Sequence, residues 1–177
     1  MDALERLNIA GLLCSIIPQW RTVHIAWCWR ETPDVITNFD ICYAKSLDRG
    51  LSWKSWDGRD LVLPITPENA HVVESIRQNS GLINGGSLVV DAKGRPYIGY
   101  TRFDENGHNQ IYIATPVDDN WKIIQLTDWK HRFYFSGRGT IPQYPPIPRV
   151  SITKDREIRP ASILQDASMG AIRSSPG

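Results

Sequence analysis

A chain of 177 residues is long enough for one domain with a sizeable core. Hydrophobic residues make up 41% and charged residues 22%, a globular composition rather than a disordered one. With 20 Lys and Arg against 19 Asp and Glu, the net charge is +1, which leaves no broad cationic footprint for nucleic acid or an anionic membrane surface. Single arginines can still receive a small acidic ligand.

The first 20 residues are set apart as a segment of uncertain structure. Ile9–Ile17 is apolar but too short to span a membrane. Asp2 and Glu5 oppose the single Arg6, and no small-x-small cleavage site follows, so the segment makes a poor secretion signal. A helix, or sequence left by truncation, is the expectation here. Thr22–Arg30 is apolar, β-branched and aromatic, and reads as a strand. Glu31–Asp34 is a loop around Pro33, and Asn38–Lys45 reads as a second strand. Cys14, Cys28 and Cys42 form no C-x-x-C and have no His at ligand spacing, so neither a metal nor a cofactor is expected; Cys28 and Cys42 read as buried thiols. The 7 tryptophans suit packing wedges better than sugar platforms, because several fall where packed sheets need them.

Ser46-Leu47-Asp48-Arg49-Gly50-Leu51-Ser52-Trp53 fits the Asp-box pattern S-x-D-x-G-x-[S/T]-W at every fixed position. Asp48 can accept hydrogen bonds from the turn N–H groups and from the flanking hydroxyls of Ser46 and Ser52. Gly50 supplies a positive φ, and Trp53 folds back as an apolar plug. The motif joins two strands at the edge of a propeller blade and performs no catalysis.

Leu61–Ile65 reads as a further strand. Thr66-Pro67-Glu68 carries N-cap, first-turn proline and early acid, which predicts a short helical insert near 67–78 with Ala70, Val73 and Ile76 on its apolar face and Gly81 as its stop. A second blade follows. Ser87–Asp91 and Pro96–Arg102 flank the turn Ala92–Arg95, Gln110–Thr115 is a third strand, and Trp121–Leu126 a fourth. Trp121 follows a turn as Trp53 does, so the two read as repeat equivalents. Their spacing exceeds the roughly 40–50 residues of a typical blade, and the insert and the Arg102–Asn109 loop account for the excess. Past Trp129 the pattern weakens. Arg149–Thr153 can open a third blade, no strand is expected beyond Lys154, and the tail from Ser168 reads as disordered. Residues 21–153 are thus expected to form propeller blades and 154–177 a weakly structured tail.

The fold class expected is all-β: a partial β-propeller of two to three four-stranded antiparallel blades. Closed rings use about four to eight blades, so the chain is expected to be a fragment of a larger ring or to close by oligomerising.

The run WRETPDVITNFDICYAKSLDRGLSW, followed by LPIT, NSGLINGGSLVVDAKGRPYIGYTR, TDW and GRGT, resembles the BNR repeat-containing family over roughly Val23–Arg149. Some of these proteins are similar to ulvan-lyase-like polysaccharide lyases with seven-bladed propellers, and more distantly to sialidases. The resemblance implies a polysaccharide or oligosaccharide partner, acidic in character, and a secreted or periplasmic setting. Three departures stand out. Phe39 replaces the His usual after Asn38, Gly85 replaces a Gln, and Pro146-Ile147-Pro148 replaces a Ser-Arg-Pro segment. If those positions form the family's active centre, they imply an impaired or inactive copy.

A lyase acting on a uronate removes the proton α to a carboxylate, which needs proton-transfer groups and a group that neutralises the carboxylate. His24 in the first strand and Tyr100 near the end of a later one are the candidates for proton transfer. Arg30, Asn84 and Arg102 are the candidates for substrate binding. Tyr100 and Arg102 are two apart on a strand and share a face. A sialidase-like hydrolase with a Tyr nucleophile and a non-catalytic sugar-binding module are the alternatives, and Phe39 favours the latter. His71, His108 and His131 are expected to be solvated.

Overall fold

The computed structural model describes residues 12–19, 22–83, 86–138, 150–152 and 158–160. Asn84, Gly85, most of the Pro-rich segment and the tail from residue 161 lie outside them. Twelve strands make up the described regular structure, apart from a single 3-10 turn at Val35–Thr37: β1 (Leu12–Gln19), β2 (Thr22–Arg30), β3 (Asn38–Ser46), β4 (Trp53–Lys54), β5 (Asp60–Leu61), β6 (Val72–Glu74), β7 (Ser87–Val90), β8 (Pro96–Phe103), β9 (Asn109–Val117), β10 (Asn120–Gln125), β11 (Val150–Ile152) and β12 (Ile158–Pro160). No helix among the described residues is long and apolar enough to cross a membrane.

The strands form two antiparallel meanders, β1-β2-β3-β4-β5 and β7-β8-β9-β10, with β11 and β12 as a separate pair. β1 lies against β7, and β6 against β10, so the two sheets stand side by side like adjacent propeller blades. Between them lies one core. Ala26, Cys28, Ile41 and Tyr43 come from the first sheet, and Ile98, Tyr100, Tyr112 and Ala114 from the second. The other face of the first sheet holds Ile25, Trp27, Trp29, Ala44 and Trp53. This split follows from the two-residue period of a strand. Trp27 and Trp53 are wedges inside packed sheets, at 0% and 1% exposure.

The Asp box folds as its chemistry requires. Asp48 Oδ1 accepts the N–H groups of Leu51 at 3.0 Å and Ser52 at 2.9 Å and the Ser46 hydroxyl at 2.7 Å, while Oδ2 accepts the Ser52 hydroxyl at 2.6 Å. Gly50, at φ 87°, donates its N–H to Ser46 Oγ at 2.6 Å. The turn delivers Trp53 into the core. Trp121 follows the corresponding turn of the second sheet and packs edge-on against Tyr43, with ring centroids 5.3 Å apart. Trp56, in the turn after β4, ties the first sheet to the Asp118 turn by donating its indole N–H to the Asp118 carbonyl at 2.9 Å.

Several expectations are corrected. Residues 12–19 are not helical but form β1, which pairs with the open edge of β2. The expected strand at Leu61–Ile65 shrinks to Asp60–Leu61; Pro64, just beyond, has no N–H for a ladder. The helix expected at 67–78 does not form. One turn closes on the Thr66 carbonyl, stapled by Asn69, whose side chain accepts the Thr66 N–H and donates to the Val62 and Pro64 carbonyls. Beyond it the backbone takes up the edge of β3 that short β4 leaves open: Tyr43 donates to the His71 carbonyl at 3.1 Å and Asp40 to that of Ile76 at 3.0 Å. Sheet pairing satisfies these groups while Val73 and Ile76 still reach the core, so it prevails over a three-residue capping signal. Gly81 is no helix stop: at φ 76° it lies so close to the Phe103 ring that a Cβ would approach to 2.7 Å. Finally, β12 pairs with β11 beyond Lys154, where no strand is expected.

Replacing Trp53 by Ala should lower unfolding free energy by about 3–5 kcal/mol, read from the urea midpoint. Asp48→Ala should lower the midpoint with an unchanged slope. The four donors on Asp48 hold its carboxyl below its ordinary value of 3.8. Its contribution is therefore complete above that value and fades as the pH falls below it. The difference between wild type and Asp48→Ala should narrow accordingly in acid.

Candidate functional site

Blade geometry defines two ends. The Asp-box turn and its counterpart at Asp118–Asp119 mark one; the carboxy-terminal ends of β2 and β8 mark the other. Arg30 ends β2 opposite Asn38, and Arg102 lies opposite Gln110 near the end of β8. By alternation Arg30 shares the face of Cys28, and Arg102 that of Tyr100, and both of those residues belong to the core between the sheets. The two arginines therefore enter the same seam at the same end.

Arg102 sits in a polar cluster. Its Nε donates to Glu74 Oε1 at 2.8 Å and its Nη1 to the Phe103 carbonyl at 2.8 Å, while the guanidinium lies 3.9 Å above the Tyr112 ring centre. The Tyr100 hydroxyl donates to Glu74 Oε2. Tyr100 and Tyr112 stack, with centroids 5.9 Å apart and planes 19° from parallel. Burial and the Glu74 carboxylate push the Tyr100 phenol well above its usual value. It is a neutral proton donor here, and at 1% exposure it is closed off, whereas the Arg102 side chain is 24% exposed. A guanidinium has five N–H donors, so Arg102 keeps donors for a ligand after serving Glu74 and Phe103.

Arg30 donates from Nε to Asn38 Oδ1 at 2.7 Å; Asn38, buried, donates in turn to the Leu82 carbonyl at 3.0 Å. His24 is not brought to these groups. It lies near the Asp-box end, opposite Lys45, with Nδ1 2.6 Å from the Tyr43 hydroxyl. Burial, then the Lys45 charge, lowers its pKa to about 4, so it is neutral at neutral pH. Asn84 lies outside the described residues. His71 is half-buried rather than solvated, accepting the Trp121 indole N–H at 2.9 Å.

The sequence reading missed Glu74, which the expected helix concealed, and Tyr112, whose role depends on its cross-strand neighbour Tyr100. It also missed the segment after Thr127, which crosses this end as a strap. Gln110 holds the Trp129 backbone at 2.9 and 3.0 Å, Asn109 Oδ1 accepts the Phe133 N–H at 2.6 Å, and Asp34 Oδ1 accepts the Gly137 N–H at 2.7 Å. Repeated polar residues beyond a strand end gave no periodic signal. Among the described residues no His, Cys, Asp and Glu cluster is arranged to hold a metal.

Residues 17–129 match the family model described as BNR repeat-containing family member. No curated protein matches the chain. Among solved structures the chain is similar to two of an ulvan lyase described as a new family of polysaccharide lyase, PL25, one of them bound to -[GlcA(1-4)Rha3S]-. Each shares 20% identity over 82% of this chain and 34% of that chain, with TM-scores of 0.46 and 0.45. The chain thus spans about a third of the length of those structures.

Glu74→Gln replaces one of the two carboxylate oxygens that accept from Tyr100 and Arg102 by an NH2 donor and removes the charge facing Arg102, and should lower stability by about 2 kcal/mol, more than Tyr100→Phe; paired urea titrations check the order. His24 should titrate with an NMR midpoint near 4. Because its folded value is depressed from 6.5, the unfolded chain binds the proton first as the pH falls. Stability should therefore decline from about pH 6.5 towards 4, and His24→Gln should flatten that decline.

Proposed function

Since the chain belongs to the BNR repeat-containing family, we propose that it is part of a carbohydrate-active propeller that engages an acidic polysaccharide at the end opposite the Asp box. The observation that carries this reading is the entry of Arg30 and Arg102 into one seam at that end. Paired guanidinium groups suit the carboxylates of a uronate chain, since each can meet a carboxylate through two parallel N–H donors.

β-Elimination is the reaction we assign. Arg102 neutralises the carboxylate and so acidifies the α proton. The Glu74 carboxylate takes the α proton as the carbon–carbon double bond forms and the bond to the leaving oxygen breaks; Tyr100, a neutral phenol, gives its proton to that oxygen, and the proton on Glu74 then returns to the Tyr100 phenolate along their hydrogen bond. Opening of the seam is required for Tyr100 to touch substrate. His24, at the opposite end of the seam, takes no part in this step. The enclosure of Tyr100, together with Phe39 packed against the tryptophan face, supports a second reading in which sugar binds without reaction. The Tyr100–Glu74 pair also meets the demand of a sialidase-like hydrolase for a tyrosine beside an acid.

Incubation with ulvan and other uronate polysaccharides separates these. Elimination predicts rising ultraviolet absorbance from an unsaturated product. That rate should fall at least a hundredfold in Arg102→Ala and in Tyr100→Phe and stay within a few-fold of wild type in His24→Ala. Binding with no product supports the non-catalytic module, and new reducing ends without absorbance support hydrolysis. Absence of both binding and product overturns the proposal.

A further inference from the structure

The strap carries exposed chemistry that the Arg102 cluster does not use. Along Lys130–Tyr134 the side chains alternate. His131 and Phe133 form an edge-on contact on one side, with centroids 4.7 Å apart. On the other, Arg132 lies between two aromatic rings, its guanidinium 4.1 Å from the Phe103 ring centre and 4.9 Å from that of Tyr134. Tyr134 is 82% exposed. Among the described residues Arg132 meets no carboxylate, and its exposed guanidinium faces the two rings and water.

Beside this pair lies a small hollow of about 20 Å³ between the strap, the 3-10 turn at Val35–Thr37 and the loop through Gly81, so a sugar ring would lie over it rather than inside it. Asn79 lines it. This residue is non-glycine yet holds φ 58°, pinned by its N–H to the Ile36 carbonyl at 2.7 Å, and its exposed amide bears no hydrogen bond among the described contacts. Asparagine is one of the few non-glycine residues that take this left-handed conformation readily, and here the surroundings fix it. The walls are fixed in advance: Asn109, Gln110 and Asp34 hold the strap at both ends, and Phe103 closes on Gly81, where no side chain fits.

We infer that Arg132, Tyr134, Phe103 and Asn79 form a second, preformed subsite for one anionic sugar residue of a bound polysaccharide. The exposed Tyr134 ring offers a flat apolar face for the C–H side of a pyranose, Arg132 takes its carboxylate or sulfate, and Asn79 takes a ring hydroxyl. Phe103 directly follows Arg102 but lies on the other face of β8, so this subsite is separate from the seam while sharing its end. The inference rests on the acidic-glycan reading above.

Titration calorimetry with ulvan oligosaccharides tests it, with neutral dextran oligosaccharides as control. Tyr134→Ala and Arg132→Gln alter exposed side chains and should leave the urea midpoint unchanged. Each should weaken the ulvan-oligosaccharide Kd at least tenfold, while the dextran control should bind at least tenfold more weakly than ulvan to wild type. If both variants bind as wild type does while Arg102→Gln weakens binding, the subsite is overturned and the seam reading survives. Equal affinity for the neutral and acidic sugars overturns the role of Arg132. Failure of wild type to bind any of these sugars overturns both readings.

Discussion

One carboxylate organises the first blade. Asp48 gathers two backbone N–H groups and two hydroxyls within eight residues, so the chain reverses tightly and its next residue, Trp53, enters the core rather than water. The reversal brings β4 beside β3 but allows only two residues to pair. That brevity has a consequence at the other end of the blade. The upper edge of β3 is left open, and Val72–Glu74 fills it. Glu74 stands between the two sheets only because this edge was vacant, and Glu74 is what binds Tyr100 and Arg102.

The seam between the sheets therefore has two different characters. Near the Asp box it is sealed by aromatic contacts among His24, Tyr43, Trp121 and His71, with His24 Nδ1 matched to the Tyr43 hydroxyl and the Trp121 indole N–H to His71. At the far end it is polar and partly open, with Arg30, Arg102 and the strap around it. Low dielectric at the sealed end keeps His24 uncharged. At the open end water reaches Arg102, and so can a ligand. The proposed carbohydrate role is placed in the second region on physical grounds, since a sugar acid needs cations that are reachable and aromatic faces that are not already covered.

Strands with strong local signals were legible in the sequence. Thr22–Arg30 matched at both ends, and the four strands of the second blade were found within two residues because β-branched and aromatic runs were bounded by turn chemistry. The Asp box was legible down to individual hydrogen bonds, since every partner lies within the motif. Residues 67–78 were misread because the capping signal at Thr66 is local, whereas the open edge of β3 that captured the chain lies some thirty residues away in sequence. The same limit hid the site. Tyr100 and Arg102 were found together because they share a strand face, but His24 was joined to them only by chemical type, and strand register sets it at the opposite end. Glu74 and Arg132 carry no motif, and their meaning comes from Tyr100, Phe103 and Tyr134, reached through the fold.

The central claim is that acidic sugar meets the end of the blades marked by Arg30 and Arg102. Amide shift mapping of the isotope-labelled full chain during titration with uronate oligosaccharide tests this most directly. The account predicts perturbations at Arg30, Arg102, Phe103 and Asn109, with Asp48, Leu51 and Ser52 unmoved. Shifts concentrated at the Asp-box turn, or none at saturating sugar, would contradict it.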